Sequence, residues 1–293
     1  MTALISVIVA TYDRADALDA VLRSLAAQRD RHFEVVVADD GSGPETAALI
    51  ERWKPRLGVA LRHVRHEHRE FRAAEIRNRA IRESAGAYCL FLDGDCIVRP
   101  DFIAVHRRLA EPGWFVTGNR ALLTPALTDA ALKRGLPIER WGFGDWLRQR
   151  FQGGVNRLAP VLRLPLGPAR KLRPGAWEGA RSCNLAVWRA DLDTVDGFDA
   201  SFSGWGREDS DLLIRLMRAG VRRKDGNFAT GVLHLWHANA DRSGLPDNER
   251  RLAAVIDSKR IRAERGMSSL GGDGSGADRS ETTDRPADNA LRA

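Results

Sequence analysis

The stretch Gly204-Trp205-Gly206-Arg207-Glu208-Asp209-Ser210-Asp211 sets a tryptophan between two glycines and runs straight into three acids. Glycine lets a backbone approach a ligand closely, and tryptophan offers a broad flat face with one N–H donor. That combination suits a sugar ring held beside a carboxylate, with Trp205 and Gly206 against the ring. The run from Leu212 to Gly220 reads as an amphipathic helix closed by a glycine. The acids therefore stand at a helix N-terminus, where free N–H groups and the dipole favour negative charge. Capping alone explains acids there, but not a tryptophan pressed between glycines.

A second group is Asp93-Gly94-Asp95, delivered by the apolar run Tyr88 to Leu92. Two carboxylates one residue apart can share a hard divalent cation with a ligand's diphosphate, and the glycine keeps the approach open. Asp39-Asp40-Gly41-Ser42 ends another apolar run, so an acid there can meet a base edge or ribose; a simple Asx turn is the competing account. Arg72, Arg77, Asn78 and Arg79 precede the paired acids. Such arginines can contact diphosphate or base with Asn78 positioned by hydrogen bonds, or line a solvated helix face. His234 and His237 fall on opposite faces if their strand alternates, so only one is expected to complete a cation site begun by Asp95.

These residues need a scaffold. Leu4–Ala10, Phe33–Ala38, Val59–Val64 and Ala87–Leu92 read as strands. Helices are expected after Asp13, which can cap the first, from Pro44 to about Trp53, and from Phe71 to Ser84. Alternation of this kind implies an α/β fold with a mostly parallel sheet and helices on both faces. Ligands bind beyond the carboxyl ends of such strands, where Tyr12-Asp13, Asp39-Asp40 and Asp93-Gly94-Asp95 would gather.

The chain has 293 residues and a net charge of +7, which favours anionic partners: nucleotide phosphates, a membrane surface or nucleic acid. Much of the excess lies in residues 132–173, where ten Lys/Arg face Glu139 and Asp145. Its Trp141 to Phe151 portion reads either as a basic amphipathic helix on a membrane surface or as a cover over the active site. Cys89, Cys96 and Cys183 show no CxxC spacing, which suggests a reducing compartment and argues against structural zinc. No apolar run is long enough to span a bilayer, so a cytoplasmic protein is expected. Residues 266–293 are rich in Gly, Ser and Asp and are expected to form a disordered tail.

Ser6–Arg14, Val37–Ser42, Arg77-Asn78 and Phe91–Asp95 resemble the GT-A nucleotide-sugar glycosyltransferases of family 2. Gly197-Phe198-Asp199 with Gly204–Asp209 resembles the acceptor-side motif of galactosyltransferase-like and chondroitin-polymerase-type enzymes. The resemblance implies one GT-A domain over residues 1–265, its nucleotide-binding half about 1–100 and its acceptor half 101–265. Thr11, Tyr12 and Asp13 would line the nucleotide pocket, Asp40 would contact uracil of a UDP-sugar, and Asp93 would lie near ribose. Asp95 would bind Mn2+ or Mg2+, with His234 where relatives place a metal-binding histidine. Asp209 would be the catalytic base, Glu208 would hold the acceptor, and Trp205 would stack on it; Asp211 is read as structural. Arg207 departs from the many relatives that carry a second glycine there. The implied activity is inverting transfer to a glycan or glycolipid hydroxyl, with lipopolysaccharide or another surface glycan as the expected product and peripheral contact with the inner membrane face. Nucleic acid is not an expected partner, because unshielded strand-end acids repel phosphates. A non-catalytic basic module for nucleic acid or anionic membrane is the alternative. A nucleotidyltransferase is disfavoured, since Thr11–Arg14 lacks a glycine-rich basic loop.

Overall fold

The computed structural model describes residues 3–238 and 241–271. The first half runs β1 (Ile5–Thr11), α1 (Ala15–Ala26), β2 (Phe33–Asp39), α2 (Pro44–Trp53), β3 (Leu61–Arg65), α3 (Ala73–Glu83), β4 (Tyr88–Asp93), β5 (Cys96–Ile97) and α4 (Phe102–Leu109). The second half adds β6 (Trp114–Thr117), β7 (Arg120–Leu122), α5 (Pro125–Lys133), α6 (Phe143–Phe151), β8 (Asn184–Trp188), α7 (Arg189–Val195), α8 (Glu208–Arg218), β9 (Arg222–Asp225), β10 (Val232–His234) and α9 (Leu245–Asp257).

Seven strands form the main sheet in the order β3-β2-β1-β4-β8-β6-β9. The first four are parallel, and β8 runs antiparallel to both β4 and β6. Parallel strands are covered on both faces, so β1 and β2 are buried at nearly every position and mostly apolar. Alternate residues feed two cores. Val7, Val9, Val35 and Val37 pack under α1 and α2, while Ile8, Val36 and Ala38 meet α3, α7 and α8 on the other face.

This topology gathers the strand-end acids. Thr11 lies beside Asp39, and Ala10 beside Asp93, so β1, β2 and β4 end at one edge. The order reverses around β1, with β2 on one side and β4 on the other, which is where a doubly wound sheet opens a crevice. A second, three-stranded sheet (β5-β10-β7) brings the end of β10 beside Cys96, immediately after Asp95.

Two expectations are corrected here. Asp13 does not cap α1; Arg14 stands at that position, and Asp13 Oδ1 accepts instead from the Gly43 N–H at 2.8 Å. The tail does not begin at residue 266. Met267–Ser269 forms a 3-10 turn with Met267 buried against the α3 core, fixed by the Ser268 N–H and hydroxyl donating to Asp196. Residues 272–293 lie outside the described residues.

Candidate active site

A cleft of about 870 Å³ opens at this sheet edge. Its walls carry Thr11, Tyr12, Asp13, Asp40, Arg77, Asp93 and Asp95 from the first half. Trp205, Gly206, Glu208 and Asp209 come from the start of α8, and Trp177 to Cys183 from the segment before β8. That volume is in the range of sites that enclose small-molecule ligands.

Asp95 sits among imidazoles. His234 Nε2 is 3.7 Å from its Oδ1, and His237 Nε2 is 3.3 Å from its Oδ2. Burial pushes the Asp95 carboxyl up against the pull of His234, with Asp93 adding repulsion. Burial also holds His234 low, so its ring is neutral and ready to donate a lone pair. One carboxylate and two imidazoles are a donor set that fits a divalent cation. Placing the two histidines on opposite faces was wrong. β10 ends at His234, so strand alternation no longer governs His237, and the rings stand 5.2 Å apart. Gly94 beside Asp95 is tightly placed: a Cβ would stand 3.0 Å from the Ala10 carbonyl and Thr11 Oγ1, so a side chain there would make its neighbours give way.

Arg77 is buried and divides its guanidinium between Asp93 (3.2 Å) and Glu208 (3.1 Å). Burial, reinforced by the Asp209 charge and opposed by Arg77, pushes Glu208 up to about 7. Asp209 Oδ1 accepts the Ser210 N–H at 2.8 Å, and Oδ2 has no hydrogen-bond partner among the described residues. Gly206 (φ +103) and Arg207 (φ +78) are both left-handed, which turns Trp205 and the acids into the cleft. A left-handed backbone at position 207 is one that glycine adopts most easily. Here an arginine accepts the strain and pairs with Glu249 of α9 at 2.8 Å.

Other predicted residues have different surroundings. Asp40 lines the cleft, but its oxygens already accept from His66 Nε2 (2.5 Å) and the Arg72 N–H (3.0 Å). Tyr12 stacks on His68 with centroids 4.4 Å apart. Arg72 pairs with Glu75 at 3.0 Å and is absent from the cleft wall. Asn78 is fully buried and clamps the Phe198 backbone, donating to its carbonyl and accepting from its N–H, both at 2.8 Å. It joins α3 to the loop before α8 and does not reach the cleft. Asp211 is structural as expected, paired with Arg215 at 2.7 Å in full burial. Sequence reading missed Trp177 and Arg242, the latter 4.6 Å above the Trp205 ring. Neither stands in a local pattern that marks it. No residue of 132–173 lines the cleft wall.

Residues 6–139 match the model of glycosyl transferase family 2, and residues 171–238 match the N-terminal domain of galactosyltransferase. The chain belongs to glycosyltransferase family 2. It is 30% identical over 231 residues to validoxylamine A glucosyltransferase of Streptomyces hygroscopicus subsp. jinggangensis, covering 74% of this chain and 52% of that one. It is 27% identical over 250 residues to chondroitin synthase of Pasteurella multocida, covering 77% of this chain and 24% of the synthase. The chain thus spans about half or less of these relatives' length. A mannosyltransferase of Pyrobaculum calidifontis, solved with GDP-Man and Mn2+, superposes with a TM-score of 0.59 at 20% identity, covering 88% of this chain and 65% of that one. The fold of this family 2 member is therefore GT-A, as the motifs implied.

Proposed function

We propose that this protein transfers a sugar from a nucleoside-diphosphate sugar, a UDP-sugar in our reading, to a glycan or glycolipid hydroxyl with inversion at the anomeric carbon. One observation carries the reading: Asp95 and His237, with His234 beside Asp95, open onto the same cleft as the first turn of α8. Thr11, Tyr12, Asp13, Asp40, Arg77 and Asp93 bind the donor. Asp95, His234 and His237 would hold Mn2+ or Mg2+, which would supply positive charge against the leaving diphosphate. Asp209 takes the proton of the acceptor hydroxyl as that oxygen attacks; its Oδ1 is fixed by Ser210, which leaves Oδ2 for the task. Glu208 holds the acceptor, and Trp205 with Gly206 gives it a floor. An archaeal mannosyltransferase of the same fold, solved with GDP-Man and Mn2+, supports the nucleotide-sugar and divalent-cation part of this reading.

Thermal shift across a panel of UDP- and GDP-sugars tests the proposal. One donor should stabilise the protein only with Mn2+ present, EDTA should abolish the effect, and Asp95→Asn should lose it. No stabilisation by any nucleotide sugar overturns the reading.

We also infer an amphiphilic acceptor at an anionic lipid surface, such as a lipid-linked precursor of lipopolysaccharide or another surface glycan. On α6, Phe143, Leu147 and Phe151 recur every fourth residue and are 52%, 36% and 83% exposed, while Trp146 is fully buried beneath them. Arg148 and Arg150 flank that stripe on the helix surface, an arrangement suited to anionic headgroups. No helix among the described residues can cross a membrane, so contact would be peripheral. Phe143→Ser with Phe151→Ser should release the protein from phosphatidylglycerol vesicles; unchanged co-sedimentation removes this part of the reading.

A further inference from the structure

Beside the Asp95–imidazole cluster lie two thiols that the proposed reaction does not use. Cys96 and Cys183 are far apart in sequence and have no metal-motif spacing, yet the fold brings them together. Cys96 opens β5 directly after Asp95, and Cys183 stands one residue before β8. A thiol from each and a carboxylate oxygen of Asp93 lie within 4.8 Å of one another. Asp95, Cys96 and His234 form a second group of the same tightness, so Cys96 belongs to both. Both cysteines are buried and free. Cys96 Sγ lies 3.6 Å from Asp95 Oδ1, and Arg120 Nη1 lies 3.8 Å from Cys183 Sγ, so both sulfurs sit among charged groups.

Packing alone does not call for this. A small buried thiol packs as a hydrophobe, and Cys96 and Cys183 both belong to the apolar core under α1. Their sulfurs nevertheless also sit beside acids and, for Cys96, a histidine. Magnesium and manganese favour oxygen and nitrogen ligands, whereas two sulfurs with one carboxylate and one imidazole are a tetrahedral set typical of zinc.

We propose that the floor of the cleft is a second cation site, formed by Cys96, Cys183 and Asp93 with His234 as the fourth ligand, that takes zinc-class divalent ions. Its existence does not depend on the glycosyl-transfer reading. Its rivalry with the donor cation does, because His234 serves both. Zinc then acts as an antagonist: it draws His234 and Asp93 toward the floor and away from the donor. The affinity order of first-row divalent ions favours zinc over manganese.

Cobalt(II) is the probe, added to full-length protein with reduced thiols. Binding should give a thiolate-to-cobalt charge-transfer band that equimolar Zn2+ bleaches. Cys96→Ser and Cys183→Ser, each checked for native circular dichroism, should lose the band. Cys183 lines the cleft wall, so its variant provides the reading if Cys96→Ser does not fold. Mn2+ binding is followed in parallel by the electron paramagnetic resonance of free Mn2+, and Zn2+ should raise the free fraction. Cobalt bound without a thiolate band, no cobalt bound, or a band that survives both cysteine variants overturns the proposal. A thiolate band in a protein that binds no Mn2+ upholds the floor site and overturns the donor-cation reading instead.

Discussion

Helix α8 carries two buried charge clusters only a turn apart, and they are built on different plans. At its start Arg77 pairs with Glu208 and Asp93, and Asp209 adds a third negative charge nearby, so acids outnumber the one guanidinium at the cleft wall. One turn on, Arg215 forks onto Asp211 Oδ2 at 2.7 and 2.9 Å and also donates to the Val195 and Gly197 carbonyls. Arg260 closes that second cluster by bridging Asp211 (3.4 Å) and Asp199 (3.1 Å). Asp199 in turn accepts backbone N–H groups from Ser201 and Glu264. Burial raises both Glu208 and Asp211, so a displaced pKa does not tell the clusters apart. Closure does. The second cluster matches Asp211 and Asp199 with Arg215 and Arg260 away from the cleft, leaving Arg260 Nε without a partner, whereas the first faces the cleft with acid in excess.

The sharpest break of this comparison is Asp209→Asn against Asp211→Asn. The first should lower turnover by about 10²–10⁴-fold, the usual share of a general base, with melting temperature and donor binding retained. The second should lower stability while the folded protein keeps its turnover. Near-normal transfer by Asp209→Asn removes its role as base. Arg215→Leu comes next. It strands buried Asp211, and urea titration should show a loss of about 3–5 kcal/mol, the cost of breaking a buried pair on one side.

A smaller effect lies in pH. Folded Glu208 keeps its proton to about 7, while the unfolded chain releases it near the ordinary 4.5. The folded state binds more protons between those values, so stability falls as pH rises through that window and the contribution is level above it. Glu208→Gln should flatten this part of the profile, and an unchanged slope would refute it. The smallest effect is a partial one: Asp209→Asn removes the neighbouring charge that raises Glu208, so the same slope should shrink without vanishing.

The parallel half of the fold was legible because doubly covered strands write themselves as apolar runs, and α2 matches its expected Pro44–Trp53 because proline fixes a helix start. β9 was not legible. Its sequence, Arg-Arg-Lys-Asp, has no apolar residue, and it is a strand because β6 pairs with it. Asn78 looked like a ligand group because a helix pattern cannot reveal that its partner is Phe198, 120 residues on. His237 was misread for a different reason: a two-residue periodicity was carried past the end of a three-residue strand. Arg207 hid its left-handed backbone because its side chain is not glycine.

Arg77 holds Asp93, a donor-binding residue in the proposed function, with one nitrogen and Glu208, its proposed acceptor-binding residue, with another. A ligand that engages Asp93 therefore changes how much of this guanidinium Glu208 retains. By thermodynamic reciprocity, whatever binds Glu208 must alter donor affinity by the same factor. The two half-reactions of substrate capture are then linked equilibria, and initial-rate patterns for this protein should show interdependent rather than random, independent addition.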